Sequence, residues 1–262
     1  MSNDYKIVAL TALSDNYMWL IHNGQQAVVI DPTLAAVVME YLVEHNLNLA
    51  GILLTHSHAD HTAGVAELCH HYGCAVRANF NYLELAAPQL ADSPGLAEGE
   101  IIKLGNFSAF TVLLTPGHTR DHVCYLFDQQ HLFCGDTLFA SGCGRVFTLD
   151  FKAMYASLAK IKALDPQLLC YPAHEYTAKN LAFSESLEVN PAAYAAYRQQ
   201  VLAKLAHWQN TLPTRLSDEL RYNLFLRCEE SSIWPTISRH SARPIFSGLE
   251  CFTRLRELRN NF

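Results

Sequence analysis

No apolar run in this sequence reaches the length needed to cross a bilayer, which argues against an integral membrane protein built on helices. Residues Met1–Leu20 lack a basic stretch followed by an apolar one, and Asp4 and Asp15 interrupt them, so no secretion signal is expected and the cytoplasm is the expected compartment. A surplus of positive charge is also missing. The formal net charge of −6 argues against nucleic acid as a partner, because phosphate recognition wants a basic face, and no basic, aromatic-rich insert is present. A small cationic pocket for an anion stays compatible with that balance. The eight cysteines, at 69, 74, 124, 134, 143, 170, 228 and 251, contain no Cys-x-x-Cys pair and read as reduced thiols, mostly small core residues. What is present in quantity is apolar: 50% of the 262 residues are hydrophobic, enough for a sizeable core and against disorder.

Against that background one string stands out, Thr55-His56-Ser57-His58-Ala59-Asp60-His61. It follows the apolar Ile52-Leu53-Leu54, the end of an expected strand, and precedes an expected helix over Ala63–Tyr72. Alternate side chains of an extended chain share a face, so His56 and His58 can reach one ion together. The turn that follows can aim Asp60 and His61 at a neighbouring one. Imidazole with carboxylate suits zinc first, and also iron or manganese.

Short apolar runs at Ile7–Leu13, Met18–Ile21 and Gln26–Ile30 read as strands, with Asn23-Gly24 a hairpin signal between the last two. Leu34–His45 reads as a helix with Thr33 as its cap, followed by a strand at Leu49–Leu54 and another at Ala75–Arg77. Ala87–Gly99 reads as a loop. Strands are expected again at Glu100–Leu104, Phe107–Leu114, Val123–Phe127 and His131–Cys134, then a helix over Lys152–Leu164 and a last buried strand at Gln167–Tyr171. From about residue 175 the pattern turns helical, over Tyr176–Glu188, Pro191–Asn210 and Leu249–Arg259. The expected organisation is a mixed α/β domain over 1–174 and a mainly helical one over 175–262.

Three further strand ends deliver metal-ligand types: Thr115-Pro116-Gly117-His118, Cys134-Gly135-Asp136-Thr137 and Tyr171-Pro172-Ala173-His174. The end of Val29-Ile30-Asp31-Pro32 echoes the second of these, through two facing half-domains or through chance between short buried strands. His122 lies near the ligands in sequence and could support them, whereas His22, His45, His70, His71, His131, His207 and His240 read as surface or structural.

The order His-x-His-x-Asp-His, then His, then Asp, then His resembles the binuclear site of the metallo-β-lactamase superfamily. That resemblance implies a four-layer αβ/βα sandwich followed by a C-terminal, mainly helical domain, with two divalent metal ions per chain. It implies His56, His58 and His118 on one ion, Asp60, His61 and His174 on the other, and Asp136 bridging both. The implied nucleophile is a hydroxide held by the two ions, made available at neutral pH because metal binding lowers the pKa of water to about 7.

Within the superfamily, three segments are similar to the glyoxalase II (hydroxyacylglutathione hydrolase) family: Gly135–Arg145, Pro172-Ala173-His174-Glu175-Tyr176-Thr177, and Asn223-Leu224-Phe225-Leu226-Arg227. The implied reaction is hydrolysis of S-D-lactoylglutathione to D-lactate and glutathione, the second step of methylglyoxal detoxification. Asp60 and Asp136 are the implied catalytic carboxylates. Arg145, Phe147, Tyr176 and Arg227 are the implied contacts to a glutathione thioester, the arginines through forked donors suited to its carboxylates. The sequence departs from the family at Phe147, where eukaryotic relatives often carry a tyrosine, and at Cys228-Glu229-Glu230, which supplies no second cation. A monomer is expected. Rival readings are a mononuclear iron persulfide dioxygenase, a broad lactonase-type metallohydrolase and a non-catalytic metal-binding domain. The first would lack the helical tail and hold one iron.

Overall fold

The computed structural model describes residues 5–80, 95–107, 109–187, 189, 191–206 and 210–262. The chain separates into two compact units, one running to Leu114 and taking in Asp121–Gly135, the other comprising Thr115–Arg120 and Asp136–Phe262.

The first unit opens with strands β1 (Lys6–Ala12), β2 (Asn16–His22) and β3 (Gln26–Ile30). Helix α1 (Ala35–Glu44) leads to β4 (Asn48–Leu53), and the short helix α2 (Ala59–Thr62) and α3 (Val65–Tyr72) lead to β5 (Ala75–Arg77). The five strands form one sheet in the order β1-β2-β3-β4-β5. Its first three strands pair antiparallel through tight connections, with the Asn23 carboxamide oxygen accepting from the Gln25 and Gln26 amides as the hairpin signal implies. The β3–β4 and β4–β5 pairs are parallel, and each is bridged by helix, the connection that parallel neighbours require. Leu20, Val29, Ile52, Val38, Leu42 and Leu68 close the core between this sheet and its helices.

The same unit holds a second, antiparallel run of strands: β6 (Ile101–Ile102), β7 (Phe110–Leu114), β8 (Val123–Phe127) and β9 (His131–Gly135). Two ties join it to the end of β4. The Tyr125 hydroxyl donates to the Leu54 carbonyl at 2.7 Å, and the Val123 amide donates to the Thr55 carbonyl at 2.8 Å. Burial pushes the Tyr125 phenol up, so it stays a donor.

The second unit contains the hairpin β10 (Leu138–Phe139) and β11 (Gly142–Cys143), helix α4 (Phe151–Lys162) and β12 (Leu169–Pro172). Helices α5 (Thr177–Ser186) and α6 (Pro191–Ala206) follow. Strand β13 (Thr214–Arg215) pairs antiparallel with β12 and leads into α7 (Leu216–Tyr222), a 3₁₀ turn at Leu224–Leu226, α8 (Trp234–Ser241) and α9 (Gly248–Asn260). Asp150 caps α4 by accepting from the Ala153 amide at 2.9 Å, and Ser247 caps α9. Among the described residues no helix is long and apolar enough to cross a membrane.

Several expectations need correction. Thr33 does not cap α1: Leu34 occupies that position, and the Thr33 hydroxyl donates to the Asp60 carbonyl instead. The helix expected over Ala63–Tyr72 begins at Val65, as α3, and a separate short helix, α2, precedes it within the string; between them the amide of Gly64 turns to the Pro32 carbonyl at 2.9 Å. The strand expected over Glu100–Leu104 contracts to Ile101–Ile102, and the strand at Gln167–Tyr171 is not the last, because β13 follows. The tail holds α7 and α8 besides the three expected helices. Residues 87–94 of the expected loop lie outside the described residues.

Candidate metal centre

In the first unit the ligand string leaves β4 at Leu53, so His56 and His58 do not share a strand face. They meet because the chain turns into α2, with His58 at its N-cap, and the His56 Nε2 and His58 Nδ1 atoms lie 3.0 Å apart. What holds the string is Asp31, buried directly after β3. Its carboxylate accepts from the Thr55 amide at 2.8 Å and the Thr55 hydroxyl at 2.6 Å, and lies 3.0 Å from His61 Nδ1. That last contact leaves His61 Nε2 as the ring's other face, 3.6 Å from Asp60 Oδ2. Asn16 steadies Asp60 by donating to its carbonyl and to Oδ2, both at 3.2 Å. The buried His122 ring stacks on His56 with centroids 5.0 Å apart. Gly135 is required beside them: its φ is +47°, and a Cβ there would stand 2.6 Å from the Thr55 hydroxyl and 2.8 Å from His122 Nε2.

The second unit gathers His118, Asp136 and His174. His118 Nδ1 lies 2.8 Å from the Arg145 carbonyl, a contact that turns Nε2 toward Asp136. The loop carrying His118 is held by the Thr148 hydroxyl on the Gly117 carbonyl and the Ser157 hydroxyl on the Pro116 carbonyl, both at 2.7 Å. Asp136 presents its two oxygens to different rings, Oδ2 at 3.3 Å from His118 Nε2 and Oδ1 at 3.4 Å from His174 Nε2. Gly144 allows this, since a Cβ there would fall 1.8 Å from the Asp136 carbonyl oxygen.

These donors fit divalent ions. Nitrogen and oxygen ligands about 2.0–2.1 Å from a tetrahedral ion are about 3.3–3.4 Å from each other. The two Asp136–imidazole separations match that edge, and one oxygen per ring is the arrangement of a carboxylate shared by two ions. His61 and His118 each contact an oxygen through Nδ1 and turn Nε2 to a carboxylate oxygen, as a metal-binding imidazole does, while His56 contacts the Thr55 hydroxyl through Nδ1 and turns Nε2 to His58. The chain therefore has His and Asp groups that could hold a metal ion.

Comparison with known proteins agrees with this chemistry and narrows it. Residues 13–174 match the metallo-β-lactamase superfamily, and residues 175–262 match the hydroxyacylglutathione hydrolase C-terminus. A hydroxyacylglutathione hydrolase of Vibrio cholerae serotype O1 is 40% identical over 262 residues, covering 98% of this chain and 99% of that protein. The chain belongs to the hydroxyacylglutathione hydrolase family. Among solved structures, the B3 metallo-β-lactamase BLEG-1 shares the fold with a TM-score of 0.62 at 22% identity, over 85% of this chain and 99% of that one. TTHA1623 in a di-iron-bound form aligns with a TM-score of 0.52 at 29% identity, over 64% of this chain and 91% of that one. The metallo-β-lactamase fold and the helical C-terminal region are thus as expected.

Of the contacts expected from the hydroxyacylglutathione hydrolase resemblance, three stand beside the candidate ligands of the second unit. Phe147 is exposed and meets His118 edge-on at 5.3 Å, and the Arg145 guanidinium lies 5.6 Å over the Phe147 ring. Tyr176 lies parallel to His174, centroids 4.8 Å apart, so its ring packs on an imidazole face. Arg227 belongs to a different set of contacts. Its Nε and Nη2 donate to the Glu230 carboxylate at 2.9 and 2.7 Å, and that pairing holds the guanidinium firmly charged. The run that supplies no second cation therefore supplies a carboxylate to the first.

Asp31 and Asn16 are functional candidates that the sequence reading did not assign. Asp31 carries a visible signal, a polar residue ending an apolar run as Asp136 does; Asn16 carries none.

Proposed function

We infer that this chain hydrolyses glutathione thioesters, with S-D-lactoylglutathione as the substrate and D-lactate and glutathione as products. The observation that carries this reading is the match of residues 175–262 to the hydroxyacylglutathione hydrolase C-terminus, because the superfamily fold alone hosts many chemistries. The reading divides the chain into a metal-carrying part, 1–174, and a substrate-binding part, 175–262. His56, His58 and His118 serve one ion, Asp60, His61 and His174 the other, and Asp136 both. Zinc suits this set first, with iron and manganese also compatible, and the di-iron form of TTHA1623 supports a pair of ions in this fold.

When bound, two divalent ions supply Lewis acidity and bring a water close to ionisation at neutral pH. The residues do the rest. Asp60, steadied by Asn16, accepts a hydrogen bond from the attacking water and orients it toward the thioester carbonyl. The leaving thiolate has a pKa near about 8.5, so no strong general acid has to protonate it. Arg145 and Arg227 provide forked donors for the carboxylates of glutathione, Tyr176 a hydroxyl, and Phe147 an apolar lip over His118.

Loss of thioester absorbance tests the reading directly. The purified chain hydrolyses S-D-lactoylglutathione, a chelator abolishes the activity, and added divalent metal restores it; absence of chelator-sensitive hydrolysis defeats the reading. Faster turnover of a lactone than of the glutathione thioester would favour the lactonase alternative. Glu230 takes one edge of the Arg227 guanidinium, so substrate contact falls to the remaining N–H donors; Arg227→Ala is expected to raise KM by about tenfold, a value typical of one charged contact, while leaving kcat within about twofold. An unchanged KM removes Arg227 from the contacts.

A further inference from the structure

The segment joining Asp136 to Arg145 is the hairpin β10–β11, and it is too short to hold itself. Only two residue pairs, Leu138↔Cys143 and Phe139↔Gly142, connect its strands. Ser141 at its tip has a φ of +57°, a conformation unfavourable for a residue with a Cβ, and its buried hydroxyl makes no hydrogen bond. The fixing comes from buried polar side chains of the helical region. Asn180 donates to the Ala140 carbonyl at 3.0 Å, Asn223 to those of Phe139 and Gly142 at 3.2 and 2.9 Å, and Arg256 to that of Cys143 at 2.7 Å. Glu219 joins tip to clamp. Its carboxyl accepts from the Ser141 amide at 2.8 Å, from Asn223 at 2.9 Å and from the Thr214 hydroxyl at 2.7 Å.

We propose that Glu219 is a positioning residue for the hydrolysis, setting Asp136 and Arg145 by fixing the hairpin between them. The proposal rests on the reading of Asp136 as a shared metal ligand. Glu219 is 1% exposed, and its hydrogen-bond donors are an amide, a carboxamide and a hydroxyl, none of them a cation. A buried carboxyl in such a place costs stability that an apolar side chain would not, which argues that it is kept for the donors it orders. Desolvation pushes its pKa up to about 7, with Asp218 adding to the rise. Tyr194 and Tyr197 of α6 also face it, and burial and the nearby carboxylate keep both phenols protonated. The protonated form still serves the network: Oε2 accepts from Ser141 and Asn223 while the acid proton turns to the Thr214 hydroxyl. Glutamine has that same donor and acceptor pattern.

The test compares Glu219→Gln and Glu219→Ala in the full chain, reading kcat, KM, zinc affinity and melting temperature between pH 5 and 9. Glu219→Ala is expected to lose about 10–100-fold in kcat and in zinc affinity, the range for groups that orient ligands, with KM rising as Arg145 loses its placement. Glu219→Gln is expected to stay within about twofold of the parent. Adding Ser141→Gly to Glu219→Ala restores part of the loss, because glycine adopts positive φ freely. The pH readout has a definite sign. With a folded value of about 7 against an ordinary 4.5, the stability tied to this group is full below pH 4.5 and disappears as pH rises through 7, so the parent's melting temperature falls there and that of Glu219→Gln does not. Should Glu219→Ala fail to fold, Glu219→Asp, one methylene shorter, takes its place with the same expected kcat loss. A folded variant with parental kcat and zinc affinity overturns the proposal, as does a Glu219→Gln as impaired as Glu219→Ala. Zinc affinity needs no substrate, so it decides the positioning role by itself; absent hydrolysis in the parent overturns only the functional reading.

Discussion

Asp136→Asn lowers thioester turnover by at least about 10³-fold, more than the 10–100-fold that follows loss of a group merely supporting a ligand. The reason lies in how the carboxylate is used. Oδ2 faces His118 and Oδ1 faces His174, at 3.3 and 3.4 Å, so the proposed bridging role calls on both oxygens. Asparagine keeps the volume and one of those oxygens but puts an NH₂ group where the other was, and an amide nitrogen does not ligate. One ion therefore loses a ligand and the pair loses a compensating negative charge. Bound metal is expected to drop from about two ions per chain toward one, the pair being what holds attacking and polarised oxygens together. Emission spectroscopy on the purified variant measures the metal, and absorbance loss on S-D-lactoylglutathione measures the rate. Two ions bound with turnover within tenfold of the parent would remove Asp136 from the bridging role.

The candidate ligands were legible because a strand end is a local event. Apolar runs of four to seven residues followed by His or Asp identify where a buried strand surrenders its chain to a loop, and β4, β9 and β12 end within three residues of His56, Asp136 and His174. The pairing that brings Asp31 to Thr55 was not legible, since it needs β3 and β4 to run parallel in a register fixed by the helix between them. Glu219 is harder still: 78 residues separate it from Ser141, and in sequence it is one acid in a polar, seven-residue helix. Thr33 illustrates the opposite error. Its position before α1 gives it a cap's signature, but the Asp60 carbonyl, brought close by the fold, takes the hydroxyl.

Asp31→Asn is expected to weaken metal binding by about 10–100-fold without touching a ligand. The substitution is conservative in shape, and asparagine tolerates the left-handed φ of +53° found at this position. Its consequence is in the donors. The parent carboxylate accepts from the Thr55 amide and hydroxyl and contacts His61 Nδ1, so the His61 proton is drawn to Nδ1 and the lone pair of Nε2 is left for an ion. An asparagine oxygen can serve the Thr55 amide, but its NH₂ group then confronts the Thr55 hydroxyl or the His61 ring with a second donor. The imidazole is released to the other tautomer and the start of the ligand string loosens with it. Leaving one buried donor unsatisfied costs about 1–3 kcal/mol, so the melting temperature falls as well. The two effects separate experimentally: competition against a chromophoric chelator reads the affinity, and melting of the metal-free chain reads the fold. If Asp31 served the fold alone, the metal-free melting temperature would drop while the affinity measured below it stayed parental. Loss of affinity beyond what the metal-free destabilisation accounts for is the signature of a carboxylate that sets the charge and orientation of His61.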